Sequence, residues 1–232
     1  MILRTIADRR NGHQVGPILV HNPRSLAAEA FRTLRTNLQF SGLERHPRLV
    51  LVTSAGDGEG KTTVVANLGA ALAESGKRVL LVDGDLRRPA LHAAFGLPEA
   101  PGLTNTLLAD EFDPRSLPTS VPNLALLPVG TLPPNPAEFI ASERLGRLLA
   151  RLAERYDHVL VDSPPVGLVA DAAVLAPSVD GVLLVVCAGR TRRELARRAK
   201  EQLENVNARI LGVVLNKAKP DRSLKDYQAI AR

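Results

Sequence analysis

Ser54-Ala55-Gly56-Asp57-Gly58-Glu59-Gly60-Lys61-Thr62-Thr63 decides how this chain folds. It follows an apolar run, Leu49-Val50-Leu51-Val52, with the character of a buried strand, and it opens a helical run from Val64 to Glu74. Strand, glycine-rich turn and Gly-Lys-Thr on a helix start make the layout of a phosphate-binding P-loop. Glycines let successive backbone N–H groups curl around a phosphate, and the helix N-terminus adds its positive dipole end. Lys61 is placed to reach β- and γ-phosphates, and the Thr62 hydroxyl to ligand Mg²⁺. Ala55 stands where the usual pattern begins with glycine, a position where a small residue suffices. Gly56 through Thr63, that is Gly56, Asp57, Gly58, Glu59, Gly60, Lys61, Thr62 and Thr63, are thus the candidate nucleotide cradle.

Working outward, further apolar runs end in polar residues. Arg78 to Val82 leads into Asp83-Gly84-Asp85, and residues two apart on a strand point the same way. Two carboxylates at a strand end repel unless a cation joins them, which Mg·nucleotide supplies. The run from Tyr156 ends at Asp162-Ser163-Pro164-Pro165, an apolar strand with a terminal acid of the kind that holds magnesium or its water shell. Asn123–Leu127, Val179–Cys187 and Arg209–Leu215 read as further strands, the last ending at Asn216. Strands apolar on both faces and separated by helices imply an α/β fold, a doubly wound, mainly parallel sheet with helices on both faces. Ligands bind at the carboxyl ends of such strands, where Lys61, Asp83, Asp85, Asp162 and Asn216 all fall.

Other segments read structurally. Ser25 to Phe40 is a helix with Glu29, Arg32 and Arg35 on one side, which on spacing alone is a solvated face. Pro133 to about Glu154 reads as one helix with a capping box from Asn135 to Glu138, and Thr191 to Glu194 as a second box. Read instead as a plain polar turn, the segment after Val82 would put Pro89 at a helix start, a reading the neighbouring P-loop disfavours. Residues 1–24 read as an N-terminal arm and 219–232 as a polar tail on one 232-residue domain. With one cysteine, no intramolecular disulfide can form, and no apolar run approaches the roughly 18 residues of a membrane span. A cytoplasmic chain is expected. Its net charge of +6 suits anionic partners generally, while the arginines of the 191–205 helix alternate with glutamates, so no nucleic-acid partner is expected. The five histidines show no metal-ligand spacing.

Val79-Leu80-Leu81-Val82-Asp83-Gly84-Asp85-Leu86-Arg87 resembles the Walker A′ motif of the bacterial tyrosine kinases of capsule and exopolysaccharide export, a P-loop family. Val159-Leu160-Val161-Asp162-Ser163-Pro164-Pro165 resembles their Walker B motif, and Glu29-x-x-Arg32-x-x-Arg35 their oligomerisation helix. Pro133-Pro134-Asn135-Pro136-x-Glu138 is similar to another of their segments. The resemblance runs from about Ser25 to Asn216 and reverses the bland reading of the arginine helix. It implies Mg²⁺- and ATP-dependent autophosphorylation on tyrosine, with catalysis by Lys61, Asp83, Asp85 and Asp162, and with Thr62, Asp83, Asp85 and Asp162 at the metal. Asp83 would accept the tyrosine proton. It implies a homo-oligomeric ring, and a transmembrane polysaccharide co-polymerase that activates the kinase at the inner face of the plasma membrane. Family members end in a tyrosine cluster; this tail offers Tyr227 as phosphoacceptor. Related partition ATPases carry an early P-loop lysine where Gly56 stands, and iron–sulfur carriers need paired cysteines. Asn216-Lys217-Ala218-Lys219 lacks the aspartate that reads guanine, which leaves adenine, with Asn216 near the base. A nucleotide-switched assembly protein with vestigial transfer is the alternative function.

Overall fold

The computed structural model describes residues 2–6, 16–41, 46–109 and 114–219. In chain order the elements are β1 (Ile2–Ile6), α1 (Ile18–His21), α2 (Leu26–Gln39), β2 (Leu49–Ser54), α3 (Lys61–Glu74), β3 (Val79–Asp83), α4 (Leu91–Phe95) and α5 (Leu103–Leu108). There follow β4 (Leu117–Pro118), β5 (Leu124–Leu127), α6 (Pro136–Ile140), α7 (Glu143–Arg155), β6 (His158–Asp162), α8 (Asp171–Leu175), β7 (Gly181–Cys187), α9 (Arg193–Glu204) and β8 (Ile210–Ala218).

The strands form one sheet in the order β1-β8-β7-β2-β6-β3-β5-β4, parallel except for the β4–β5 pair. Alternation along each strand sends side chains to two cores. Val50 and Val52 of β2 join Leu81, Leu160 and Val185 under α2 and α3. Leu49 and Leu51 join Leu80, Val161 and Leu184 under α7 and α9. Both faces are therefore dry, as the uninterrupted apolar runs require. β2 lies between β6 and β7, with Val52 opposite Asp162 and Ser54 opposite Val185. Asp83 pairs in register with Asp162 across β3 and β6. The strand register thus sets the phosphate loop and both acidic strand ends on one rim of the sheet.

Several local expectations are corrected. The stretch read as an arm contains β1, an edge strand parallel to β8, and the helix α1. The helix expected from Pro133 to Glu154 is two helices. Ser142, in extended backbone, accepts from Leu145 N and donates to Phe139 O at 2.7 Å, so it starts α7 and closes α6 at once. Asn135 is the N-cap of α6 and Pro136 its first residue, but no side-chain cap bond forms. Pro89 precedes α4 without entering it; Ala90 is the cap. Thr191 does not cap α9 either. Its hydroxyl accepts from Cys187 N and donates to Glu59 Oε1, a bond across the molecule that a local capping rule does not see.

Candidate active site

The phosphate loop leaves β2 at Ser54 and enters α3 at Lys61, with Gly58 at φ +68° and Gly60 at φ +90°. A side chain at residue 60 would place its Cβ 2.2 Å from Asn216 Nδ2, so glycine is required there on two counts. Ser54 Oγ donates to Gly56 O, and Gly58 N to Asp57 Oδ1. Glu59 turns its side chain inward and is buried. Thr63 is exposed on the outer side of the first turn of α3. A pocket of about 510 Å³ opens beside the loop, lined among others by Gly58, Gly60, Lys61, Thr62 and Asp85.

Lys61 Nζ lies 3.4 Å from Asp85 Oδ2, and Thr62 Oγ1 donates to Asp162 Oδ2 at 2.6 Å. The phosphate loop therefore touches both acidic strand ends. Gly84 makes this possible. Its N–H donates to Asp162 O at 3.0 Å, and a Cβ there would stand 2.7 Å from the same oxygen. Asp85 Oδ1 accepts from Arg87 N and Arg88 N, which curls the loop after β3 back over the pocket. Arg87 then forks onto Asp171 of α8 at 2.8 and 3.0 Å, and Arg88 reaches Asp57 at 3.1 Å. The Asp171 carboxylate holds the Arg87 guanidinium above its usual value.

Asp83 lies deeper than the strand pattern suggests. It has no exposed surface; Oδ1 accepts from Asp85 N, and Oδ2 from Ala90 N and Leu91 N. Burial pushes its carboxyl up to about 8, reinforced by Asp162. Burial also raises Asp162, to about 7, against the pull of Lys61 and the Thr62 hydrogen bond. A cluster that holds carboxylates this far above their ordinary range has the polarity to accept a cation. Among the described residues no group of three or more His, Cys, Asp or Glu side chains could hold a metal alone. Thr62 Oγ1 and the Asp162 carboxylate, with Asp85 alongside, are oxygen ligands of the one-or-two-ligand kind that Mg²⁺ takes from a protein beside waters and phosphate oxygens.

Asn216, expected near the base, lies against the phosphate loop. It is buried, its Nδ2 donates to Glu59 O at 2.8 Å, and its Oδ1 accepts from Lys217 N. Glu29, Arg32 and Arg35 are far from the pocket: Arg32 forks onto Glu74, at the end of α3 about 20 Å from Lys61, and Arg35 donates to Ala71 O. Glu29 stays exposed, bonded to Arg32 at 3.4 Å. The expected acceptor, Tyr227, lies outside the described residues. Sequence reading missed Asp171, Thr191 and Lys217 as parts of this site. Arg87 sits inside the Walker A′ stretch and was the one signal that a buried acid waited elsewhere.

Residues 50–232 match the CobQ/CobB/MinD/ParA nucleotide-binding domain family. Over 210 residues the chain is 40% identical to tyrosine-protein kinase YwqD of Bacillus subtilis, covering 90% of this chain and 89% of that protein. The kinase domain of Escherichia coli tyrosine kinase ETK superposes with a TM-score of 0.85 at 31% identity, covering 94% and 92% of the two chains. The septum site-determining protein MinD of Pyrococcus horikoshii, solved with Mg-ADP, superposes with a TM-score of 0.59 at 26% identity, covering 77% and 76%.

Proposed function

The chain belongs to the bacterial tyrosine-protein kinases, built on the nucleotide-binding fold of the MinD/ParA class, and on that premise we propose how its residues work. It is a protein-tyrosine kinase of the type linked to capsule and exopolysaccharide synthesis. ATP phosphates sit in the loop from Gly56 to Thr63, held by backbone N–H groups and by Lys61. The observation that carries this reading is the contact set Lys61–Asp85 and Thr62–Asp162 on one pocket. Thr62 and Asp162, with Asp85 alongside, would hold Mg²⁺, and the ion would supply neutralisation of charge on the transferring phosphoryl group. Lys61 shares that task and keeps the β- and γ-phosphates in line.

Asp85 is the carboxylate that meets the pocket, and Asp83 stands beneath it. We therefore assign the tyrosine proton to Asp85 in this conformation, with Asp83 acting as the anchor of the loop from Gly84 to Leu91. The sequence-based role for Asp83 as proton acceptor requires that loop to release Oδ2. Asp85→Asn should lower kcat by about 10²-fold or more with little loss of thermal stability. Asp83→Asn, which leaves two backbone N–H groups facing an amide, should lower the unfolding midpoint as well. Equal kinetic losses with equal midpoints would return the proton to Asp83.

Among the described residues no helix is long and apolar enough to cross a membrane. We propose recruitment to the inner face of the plasma membrane by a transmembrane polysaccharide co-polymerase, and assembly of a homo-oligomeric ring through α2. Replacing Glu29, Arg32 and Arg35 by alanine should give monomers that still bind ATP; sedimentation showing unchanged assembly would remove α2 from the interface. Tyr227 is proposed as the acceptor, phosphorylated by a neighbouring copy. Mass spectrometry after incubation of the full chain with Mg·ATP tests the whole reading. Phosphotyrosine at Tyr227 supports it; ADP without phosphotyrosine makes the chain a nucleotide switch. In a mixture of Lys61→Met and Tyr227→Phe proteins only transfer between copies labels Tyr227, so an unlabelled residue there rules out that route.

A further inference from the structure

Two donors from the end of β8 reach the backbone of the phosphate loop from behind. Asn216 Nδ2 donates to Glu59 O at 2.8 Å, and Lys217 Nζ donates to Gly58 O at 3.1 Å. In a trans peptide a carbonyl and the following N–H lie in one plane and point in opposite directions. Fixing the carbonyls of residues 58 and 59 therefore fixes the N–H groups of Glu59 and Gly60. It aims them away from the end of β8. Successive N–H groups held in this way form the concave nest that binds a phosphate.

Lys217 does this from an unfavourable backbone, with φ at +57°. Among the described residues the other non-glycine positions with positive φ are Asn123 and Asn207. Asparagine tolerates the left-handed region; lysine, with a Cβ and no short polar group, does not gain that relief. Glycine would be the cheaper residue for the turn. Asn216 Oδ1 accepts from Lys217 N at 2.8 Å, so the same asparagine that holds Glu59 also holds the strained turn. The Lys217 Cε lies 3.9 Å from where a Gly60 Cβ would be, directly behind the helix start. Arg190 Nη1 approaches the same Gly58 carbonyl at 3.5 Å from the turn after β7, a longer and weaker contact.

We propose that Lys217 is a positioning residue for nucleotide binding: its left-handed turn lays the ammonium on the Gly58 carbonyl, and with Asn216 it braces the phosphate loop in its phosphate-presenting form. This rests on the loop being the nucleotide site. Strain kept beside a ligand site, in a residue whose side chain contacts that site, is the pattern expected when position matters more than local stability.

The brace makes stability and binding move in opposite directions, which a structural residue cannot do. Lys217→Gly relieves the turn, so its nucleotide-free unfolding midpoint should be equal to wild type or about 2–4 °C higher. Its affinity for ADP in the presence of Mg²⁺, read by calorimetry, should fall about tenfold. Lys217→Arg, which can reach the same carbonyl, should bind within about threefold of wild type. Asn216→Ala removes the other half of the brace and no charge, so a comparable loss there separates bracing from simple attraction of an anion. Wild-type affinity in Lys217→Gly, or a midpoint that falls together with affinity, overturns the proposal. So does Asn216→Ala with unchanged affinity. Wild-type protein that fails to bind ADP overturns the nucleotide reading itself, before any variant is compared.

Discussion

Lys61→Met should lose phosphoryl transfer by a factor of 10³ or more, about 4 kcal/mol of transition-state stabilisation. Lys61 is the cation at the junction of the phosphate loop and the acidic strand ends, 3.4 Å from Asp85 and opposing the rise of Asp162. Methionine keeps the length and apolar stem of the side chain, so the loss reports the charge. A second effect follows from the carboxylates that remain. The folded-state values of Asp83 and Asp162 already lie above the ordinary 3.8, at about 8 and about 7. Between pH 4 and 8 the folded nucleotide-free chain therefore holds protons that the unfolded chain has released, and its stability falls as pH rises through that window. Without Lys61 the fall should be steeper. Steady-state kinetics and unfolding midpoints at pH 5.5 and 8 measure the two effects. A Lys61→Met enzyme with near-normal turnover would remove the lysine from the chemistry.

Gly167→Ala should cost about two orders of magnitude in kcat/KM by displacing the phosphate loop it abuts. A Cβ at this position would stand 2.2 Å from the Ala55 carbonyl oxygen, at the first residue of the phosphate loop. The turn cannot simply back away. Thr53 Oγ1 donates to Pro164 O at 2.8 Å and accepts from Val166 N at 3.0 Å, so β2 holds the turn by the residue next to the clash. Leu168 N and Val169 N both bond to Pro165 O, which stiffens the turn itself. The strain must move Ala55, and with it the start of the loop. Kinetics of the variant at saturating and limiting ATP test this; unchanged values would show that the turn yields freely.

The parts legible in the sequence are those whose physics is local. β2, β3, β6 and β7 are apolar on both faces, so they read as buried parallel strands from their own residues. The loop from Gly56 to Thr63 declares its chemistry because glycine, lysine and threonine must stand side by side to hold a phosphate. What escaped depends on partners distant in the chain. Thr191 gives up its cap because Glu59 is at hand, 132 residues away in sequence. Asn216 donates to a carbonyl 157 residues back. Arg87 finds Asp171 across 84 residues. The depth of Asp83 follows from how the chain after β3 folds over it, which period-two alternation does not encode. The break between α6 and α7 was within reach: Ser142, followed by an acid at Glu143, is an ordinary helix start, hidden by the longer apolar pattern around it.

The position of β2 in the middle of the sheet has a consequence for how the protein is made. Both of its neighbours, β6 and β7, come from the stretch between His158 and Cys187. On the ribosome the phosphate loop emerges before both of these strands, so its own strand has no hydrogen-bonding neighbour on either side until they follow. For that interval an uninterrupted apolar strand with two open edges waits in solution, the kind of segment that pairs with the wrong chain. A growing chain in this state has no organised nucleotide site to stabilise it. Kinase competence therefore arrives late and at once, and chaperone demand during synthesis should be set by the delay between β2 and β7.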